Sequence, residues 1–514
     1  MSTAEKFVRN LLSNWAGMIF GLLISFLLSP YVVRKLGNTY YGVWNIIMDM
    51  TGYLGLLEMG VRQSIIRYVA KYRAVNDTES MNRITSSAFS IYGFTSAACF
   101  LISIGLAVLF PYIFKVSNET ISIGRWVIVI TGLSIAQGLL FSVYFGVILG
   151  IQRYDVLAKV GILFSIIKAG LTVVILSSGY GLIALSIMHL GTNLANSMYG
   201  RYYCKKEIPG LEIRFWKYGS EWYGKIFNYS FKTFIMFIGQ KIVYYSDSIV
   251  IGILLGPAHV TYFVIGASLT DYMIRIVTQM TQMFTPLTSE LQARGEENKI
   301  SDVLTQGTKL SLIIALPISI VFLTMGKRFI SLWMGQEYGP LSGDVLIVLT
   351  ITHLFAVAQY TSQDILQGLN RHGVCATCRC VEAVVNLILS IVLIRSWGIV
   401  GVAVGTAIPH LATALFAYPY FISKVVKVDF MQYVLRSYLA PILSSVPFFA
   451  GCVVIENRFP ATNLAGFFAR VAILMPFYLL PVWYLSIKKQ ERVVYIGAFC
   501  KLAPVLSRKL GLVA

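Results

Sequence analysis

Long apolar stretches separated by short polar connections run the whole length of the chain. Taking ~20 residues as enough to cross a bilayer, about fourteen spans can be placed, near 11–33, 40–61, 85–113, 121–150, 156–178, 180–203, 229–255, 258–289, 306–330, 341–368, 374–396, 398–422, 433–455 and 464–487. The longest polar stretch, Cys204–Lys225, lies between the sixth and seventh and reads as a linker. The spans are not uniformly apolar. In the seventh, Lys232, Thr233, Gln240, Lys241, Tyr244 and Asp247 fall on one half of a helical projection, and Ile235, Ile238, Ile242, Tyr245 and Ile249 on the other. A charge in lipid costs roughly 3 kcal/mol or more, so such a face is expected against a wet cavity or other polar groups.

The span pattern repeats. Leu36-Gly37 after the first span has a counterpart in Leu255-Gly256 after the seventh. Ile148–Arg153 (ILGIQR) pairs with Leu366–Arg371 (LQGLNR), and Tyr180–Ala184 (YGLIA) with Trp397–Gly401 (WGIVG). The offsets agree, at roughly 217 to 219 positions, as a duplicated unit requires. Each unit holds six spans, an even number, so both copies enter the membrane in the same direction and their pseudo-axis runs along the membrane normal. The expected organisation is an N-terminal lobe over 1–203, a cytoplasmic linker over 204–228, a C-terminal lobe over 229–422, and two further spans with a cytoplasmic tail over 423–514.

Composition supports this all-α polytopic membrane class. Of 514 residues, 57% are hydrophobic and 13% charged, against about 25% charged in a soluble domain. The mean hydropathy is +0.71. A formal net charge of +19, from 42 Lys+Arg against 23 Asp+Glu, would suggest a nucleic-acid partner in a soluble protein. Here retention of basic residues in cytoplasmic loops explains it better, and nucleic acid is not an expected partner. The heaviest clusters span Arg62–Arg83, Arg201–Lys225 and Lys488–Lys509. All fall on one side if the N-terminus is inside, which places both termini in the cytoplasm. The opening MSTAEKFVRN leads directly into the first span, so no removable signal peptide is expected. The seven cysteines show no secreted disulfide pattern.

Five basic residues remain within or at the edges of spans: Lys168, Lys232, Lys241, Arg275 and Arg470. In the eighth span Asp271, Arg275, Thr278, Gln282, Thr285 and Ser289 lie within about 80° of one line, with Asp271 and Arg275 spaced to pair. That stripe reads either as a packing ion pair or, preferred for its length, as a wet wall carrying Arg275. Lys168 stands near mid-span between Ser165 and Thr172. Further acids are Asp49 and Glu58 in the second span, with Arg62 just beyond, Asp364 in the tenth and Glu382 in the eleventh, the last either an intramembrane acid or the partner of Arg379. Cations from several helices would form a positive chamber for an anionic headgroup, since Arg and Lys recognise phosphate. The candidate substrate-binding set is Arg275, Lys168, Lys241 and Lys232, with Gln240, Thr278 and Gln282 as polar lining. Asp271, Asp247, Asp364, Glu382, Asp49 and Glu58 are coupling or structural acids, and H+ or Na+ the candidate coupling ions. The charges are not duplicated, since Arg275 aligns near Leu56 and Asp271 near Gly52.

His372, Cys375, Cys378 and Cys380 have ligand types but no second paired cluster, so no metal site is assigned. No Walker A motif and no nucleophile–base set is present, so neither ATP-driven transport by this chain alone nor catalysis is expected. Pro286 and Pro317 are candidate kinks in spans eight and nine.

The opening NWAGMIFGLLISFLLSPYVVRKLGNTYYGVWNI, then GYLGLLEMGVRQSIIRYVAKY, resembles the polysaccharide-exporting flippases of the multidrug/oligosaccharidyl-lipid/polysaccharide superfamily, as do DSIVIGILLG and LQGLNRHG in the second half. The resemblance covers essentially the whole chain. It implies twelve or fourteen helices in two lobes around a central cavity, as in the related drug antiporters, here with two extra C-terminal helices. It also implies alternating access and transport of undecaprenyl-pyrophosphate-linked sugar units across the cytoplasmic membrane for O-antigen, capsule or exopolysaccharide. The partners would be the polyprenyl-pyrophosphate-linked glycan and membrane lipids, with a polysaccharide polymerase and glycosyltransferases as candidates. The rival readings are a small-molecule drug antiporter, whose cavity should be acidic and aromatic, and a non-transporting scaffold for polysaccharide assembly.

Overall fold

The computed structural model of the chain describes residues 3–216, 220–487 and 491–492; the side chains of 3–14, 220, 228–233, 235–237, 239–240, 243 and 372 lie outside that description. Among the described residues the chain is helical, without strands, and every predicted span lies on helix. The first two spans share α1 (Thr3–Gly52), which breaks at Gly37 (φ 74°, ψ 167°). A 3₁₀ turn (Tyr53–Glu58) and left-handed Met59 and Gly60 lead to α2 (Val61–Ala74), a helix the span pattern did not predict. Then come α3 (Thr78–Ile113), α4 (Asn118–Gly150), α5 (Tyr154–Ser177), α6 (Leu182–Glu207) and α7 (Ser220–Leu254). The eighth predicted span is two helices, α8 (Pro257–Thr281) and α9 (Phe284–Ala293). Pro286 sits in the first turn of α9, where its missing N–H costs nothing, so the helix restarts there rather than kinking. Pro317, by contrast, lies inside the continuous α10 (Asn298–Trp333). Next are α11 (Gly339–Gly368) and α12 (His372–Ala412). Gly398 (φ 56°) turns α12 back on itself, so that Ser390 Oγ donates to the Val402 carbonyl at 3.5 Å; that φ favours glycine. Short helices α13 (Tyr418–Val426), α14 (Phe430–Val434), α15 (Ala440–Arg458), α16 (Leu464–Leu474) and α17 (Pro476–Pro481) complete the order, linked in part by π-helical turns.

Among the described residues ten helical segments are long and apolar enough to cross a membrane. Two of them, Trp15–Glu58 and Gly373–Val426, each carry two predicted spans. Helix α6 falls outside the ten; in α7 the described residues include one shorter apolar run, Tyr244–Leu254. Large apolar side chains such as Leu27, Leu101, Phe416 and Leu485 stand exposed, as a lipid-facing surface requires.

The duplication has a backbone counterpart. At the end of α2, Asn76 N–H bonds the Arg73 carbonyl and Asp77 N–H that of Tyr72; at the end of α9, Gly295 bonds Gln292 and Glu296 bonds Leu291. At the end of α4, Gln152 bonds Leu149 and Arg153 bonds Ile148; at the end of α11, Asn370 bonds Gln367 and Arg371 bonds Leu366. Asn76, Gly295, Gln152 and Asn370 all have positive φ, the mark of a left-handed helix stop.

The chain forms two compact units, Met1–Val264 with Ala376–Thr406, and Ile265–Cys375 with Ala407–Ala514. These cut the chain elsewhere than the lobe ranges 1–203 and 229–422, because α7 packs within the first unit: a methyl at Gly252 would meet Ile46 and Phe114. The first unit's core joins α2, α3 and α4 through Ile65, Val69, Ile84, Tyr92, Val143 and Val147. Part of the linker is tied down there as well. Between Leu211 and Trp216 alternate amides, Glu212, Arg214 and Trp216, bond the side chains of Asn82, Ser86 and Ser90 on α3. Two residues of extended chain rise about 6.6 Å and four of helix about 6.0 Å, so the two rows stay in step. The second unit's core centres on Met273, Val277, Ala315 and Val357.

Candidate functional site

Within the first unit the charges predicted in the spans gather polar neighbours from adjacent helices. Lys168 on α5 is half-buried, and its Nζ donates to Asn193 Oδ1 of α6 at 2.7 Å. Asn193 Nδ2 donates on to Ser134 Oγ of α4 at 2.9 Å, and His189, one turn back on α6, meets the Trp44 ring at a tilt, 5.3 Å between centroids. Lys241 on α7 donates to Tyr245 OH at 3.0 Å, and Tyr245 meets Tyr53 edge-on at 5.5 Å. Among the described residues neither lysine forms an ion pair with an acid.

Arg62, at the start of α2, bonds Ser142 Oγ of α4 through Nε (3.1 Å) and Nη2 (2.8 Å) and pairs with Glu58 at 2.9 Å. Glu58 is thereby a charge partner and not an isolated intramembrane acid. Glu382 is likewise paired: it is buried, and its Oε2 lies 2.8 Å from Arg379 Nη1. Asp49 is half-buried near the end of α1.

Asp247 is buried where α7 meets the folded-back α12. Its Oδ2 accepts from Thr406 Oγ1 at 2.8 Å, Asn386 Nδ2 donates to that hydroxyl at 2.6 Å, and Ser246 Oγ donates to Asn386 Oδ1 at 3.3 Å. Oδ1 of Asp247 is buried with no partner among the described residues. The turn at Gly398 brings Asn386 and Thr406, twenty positions apart, into one hydrogen-bonded row that ends on the Asp247 carboxylate.

In the second unit, Arg275 and Gln282 are exposed and Asp271 half-buried, and no ion pair joins Asp271 to Arg275 among the described residues. Thr278 spends its hydroxyl on the Ile274 carbonyl at 2.9 Å. Asp364 on α11 accepts a long bond from Thr285 Oγ1 of α9, at 3.5 Å. The side chains of Lys232 and Gln240 lie outside the described residues, as does that of His372; Cys375 and Cys378 are buried and Cys380 exposed.

Sequence reasoning passed over Lys309, which stands inside the ninth predicted span. It is 4% exposed and paired with Glu491 at 2.8 Å, beside Gln306. The signal was a lysine four residues into an apolar run, overlooked as a span edge. The Arg62–Ser142 contact had no signal, because it depends on the turn at Met59-Gly60.

A chain helical throughout its described residues, with exposed apolar flanks and buried charges among its helices, is a polytopic membrane transporter in class. The solved structures it resembles agree on the fold. The lipid II flippase MurJ, inward closed conformation, aligns at a TM-score of 0.70 and 15% identity, over 92% of this chain and 98% of that one. An inward-facing multidrug resistance MATE family transporter aligns at 0.66 and 13%, over 80% and 96%. A probable low-salt glycan biosynthesis flippase of Haloferax volcanii is 23% identical over 436 residues, 84% of this chain and 85% of that one. The polysaccharide biosynthesis protein family matches residues 32–342, and the lipid II flippase MurJ family matches 273–469. The chain belongs to the polysaccharide biosynthesis protein family, as a flippase of the multidrug/oligosaccharidyl-lipid/polysaccharide superfamily.

Proposed function

We propose that the chain carries a polyprenyl-pyrophosphate-linked oligosaccharide across the cytoplasmic membrane by alternating access, with both termini in the cytoplasm. The observation that carries this reading is the pair of intramembrane lysines held by neutral groups, Lys168 by Asn193 and Lys241 by Tyr245. A buried cation given an acid is already neutralised; one given only an amide or a phenol keeps its attraction for an incoming anion. Pyrophosphate supplies that anion while the polyprenyl tail stays in lipid. The rival drug-antiporter reading needs an acidic, aromatic cavity, which these lysines oppose.

Coupling is assigned to Asp247 with Asn386 and Thr406. One carboxylate oxygen of Asp247 lacks a partner among the described residues and Thr406 adds a hydroxyl oxygen beside it, which suits H+ or a hard cation such as Na+. The test is polymer export in a deletion strain complemented with Lys168→Gln, Lys241→Gln or both, at matched protein levels. Each single change is expected to lower export about tenfold, from one lost charge-assisted contact, and the double change to abolish it. Wild-type export from the double variant sinks the reading.

A further inference from the structure

The duplicated fold contains one corner twice, with different contents. In the first copy it lies between the α4–α5 turn and the end of α6. Arg153 caps α5 there and is neutralised twice, by Asp155 at 3.1 Å and by Glu207 at 2.9 Å. The chain then fills the space itself. Ile208 and Leu211 pack with Met81 and Ile151, and the Gly210 carbonyl accepts from Asn82 at 2.9 Å.

In the second copy the same helix stop, with left-handed Asn370 in place of Gln152, presents Arg371 as the cap of α12. Here the position of Asp155 is Gly373 and, aligned on the helix ends, Val426 closes α13 where Glu207 closes α6. Lys427 stands where Ile208 stood, and its left-handed φ of 55° turns the chain away toward α14 instead of across the corner. The result is an open cavity of about 680 Å³ lined by Arg371, Lys427, Glu297, Asn298, Gln292 and Ser301 among others. Among the described residues neither Arg371 nor Lys427 forms an ion pair.

We propose that this corner binds a phosphate-bearing ligand. The first copy acts as an internal control: where the arginine has its own acids the chain closes the site, and where it lacks them a space is left beside a second cation. A guanidinium and an ammonium in the lining of one cavity match a phosphoryl group. The volume exceeds what phosphate alone would fill, and Glu297 with Asn298 and Ser301 suits hydroxyl or amine donors on the remainder. A phospholipid headgroup and a water-soluble phosphate ester share this chemistry.

The full-length chain in phosphatidylcholine nanodiscs, with and without phosphatidylglycerol, separates the two sources. Melting temperature is followed while inorganic phosphate or glycerol 3-phosphate is titrated against chloride at equal ionic strength. The proposal expects saturable stabilisation by the soluble phosphates, by phosphatidylglycerol, or by both. Affinity should fall about tenfold or more in R371Q/K427Q and stay unchanged in R153Q, with each variant's ligand-free melt as the folding control. Stabilisation confined to the phosphatidylglycerol discs assigns a lipid headgroup; stabilisation by glycerol 3-phosphate in both discs assigns a soluble ester. The proposal is overturned by equal responses in wild type and R371Q/K427Q, by no phosphate-specific response in any arm, or by saturation with a polyglutamate peptide in place of phosphate.

Discussion

Two buried-oxygen arrangements in the first unit differ in what they leave open. At Lys168 the ammonium ends a chain of neutral donors and acceptors, Asn193 and Ser134, that holds it in place without cancelling its charge. At Asp247 the carboxylate is held on one oxygen only. A half-satisfied buried carboxylate is costly unless a proton or cation completes it. If that completion couples to transport, Asp247→Asn should remove the dependence on the ion while leaving the fold intact, since an amide can still accept from Thr406. In proteoliposomes loaded with a labelled polyprenyl-linked sugar, wild type should speed up with an inward Na+ or H+ gradient, and Asp247→Asn should run about tenfold slower, with no response to either. A gradient response retained in the variant removes Asp247 from coupling. The sequence named Lys168, Lys241 and Asp247 because each is an ionisable residue deep in an apolar run. It did not name Asn193 or Thr406, and it put Asn386 on one face with Glu382 without linking it to Asp247, since small polar residues occur in many spans and only the packing of α6 on α4 and α5, or the fold-back of α12, selects these. For Glu382 the sequence left open a pairing with Arg379, and it placed Arg62 just beyond Glu58; both pairs form.

At the level of the helices, the duplicated stops fix one close approach in each copy. A methyl on Gly150 would fall 2.8 Å from Val69 Cβ and 3.1 Å from the Ile66 carbonyl oxygen of α2. A methyl on Gly368 would fall 2.6 Å from the Thr285 carbonyl oxygen and 2.9 Å from Thr288 Cβ of α9. These contacts are with backbone and with Cβ atoms, which cannot swing aside. Gly368→Ala is therefore expected to destabilise by about 1–3 kcal/mol, read as a lower melting temperature in detergent. Gly161→Ala on α5, where nothing lies within 4 Å, should be neutral or mildly stabilising, because alanine favours helix. Equal melts for both variants would show that the α9–α11 contact is looser than drawn. The helices themselves were legible because apolar length is a strong signal. So were the breaks in α1 and α12, since Gly37 and Gly398 fall where the pattern divides one span from the next; α2 was not, because it is too charged to register as a span. The repeat was legible for a physical reason: each left-handed stop needs particular residues, so Gly150-Ile151-Gln152 and Gly368-Leu369-Asn370 kept their spacing.

Across the whole molecule, a duplicated backbone carries chemistry that is not duplicated. Gly146 of the first copy corresponds to Asp364 of the second, Arg62 to Thr281 and Ser142 to Tyr360, so the arginine-lined contact between α2 and α4 becomes a threonine–aspartate contact between α9 and α11. That asymmetry suits a cargo with a charged end and an uncharged end. The segment outside the repeat is anchored by polar bonds into α10 and α11: Tyr433 OH to Thr308 Oγ1 at 3.0 Å, Gln359 Nε2 to Tyr438 OH at 2.8 Å, and Tyr478 OH to the Ile313 carbonyl at 2.6 Å. The Lys309–Glu491 pair then holds Glu491, beyond the last helix, against α10. Because both groups are largely withdrawn from water, removing one strands the other. Lys309→Met alone is expected to cost about 3–5 kcal/mol, and the double change Lys309→Met with Glu491→Leu to recover most of it, because a buried pair can be replaced by apolar groups at little net cost. Melting temperatures of the two single variants and the double variant, arranged as a cycle, give the coupling directly. Additive losses would mean that the two side chains are separately solvated, and that Glu491 is not what satisfies the buried Lys309.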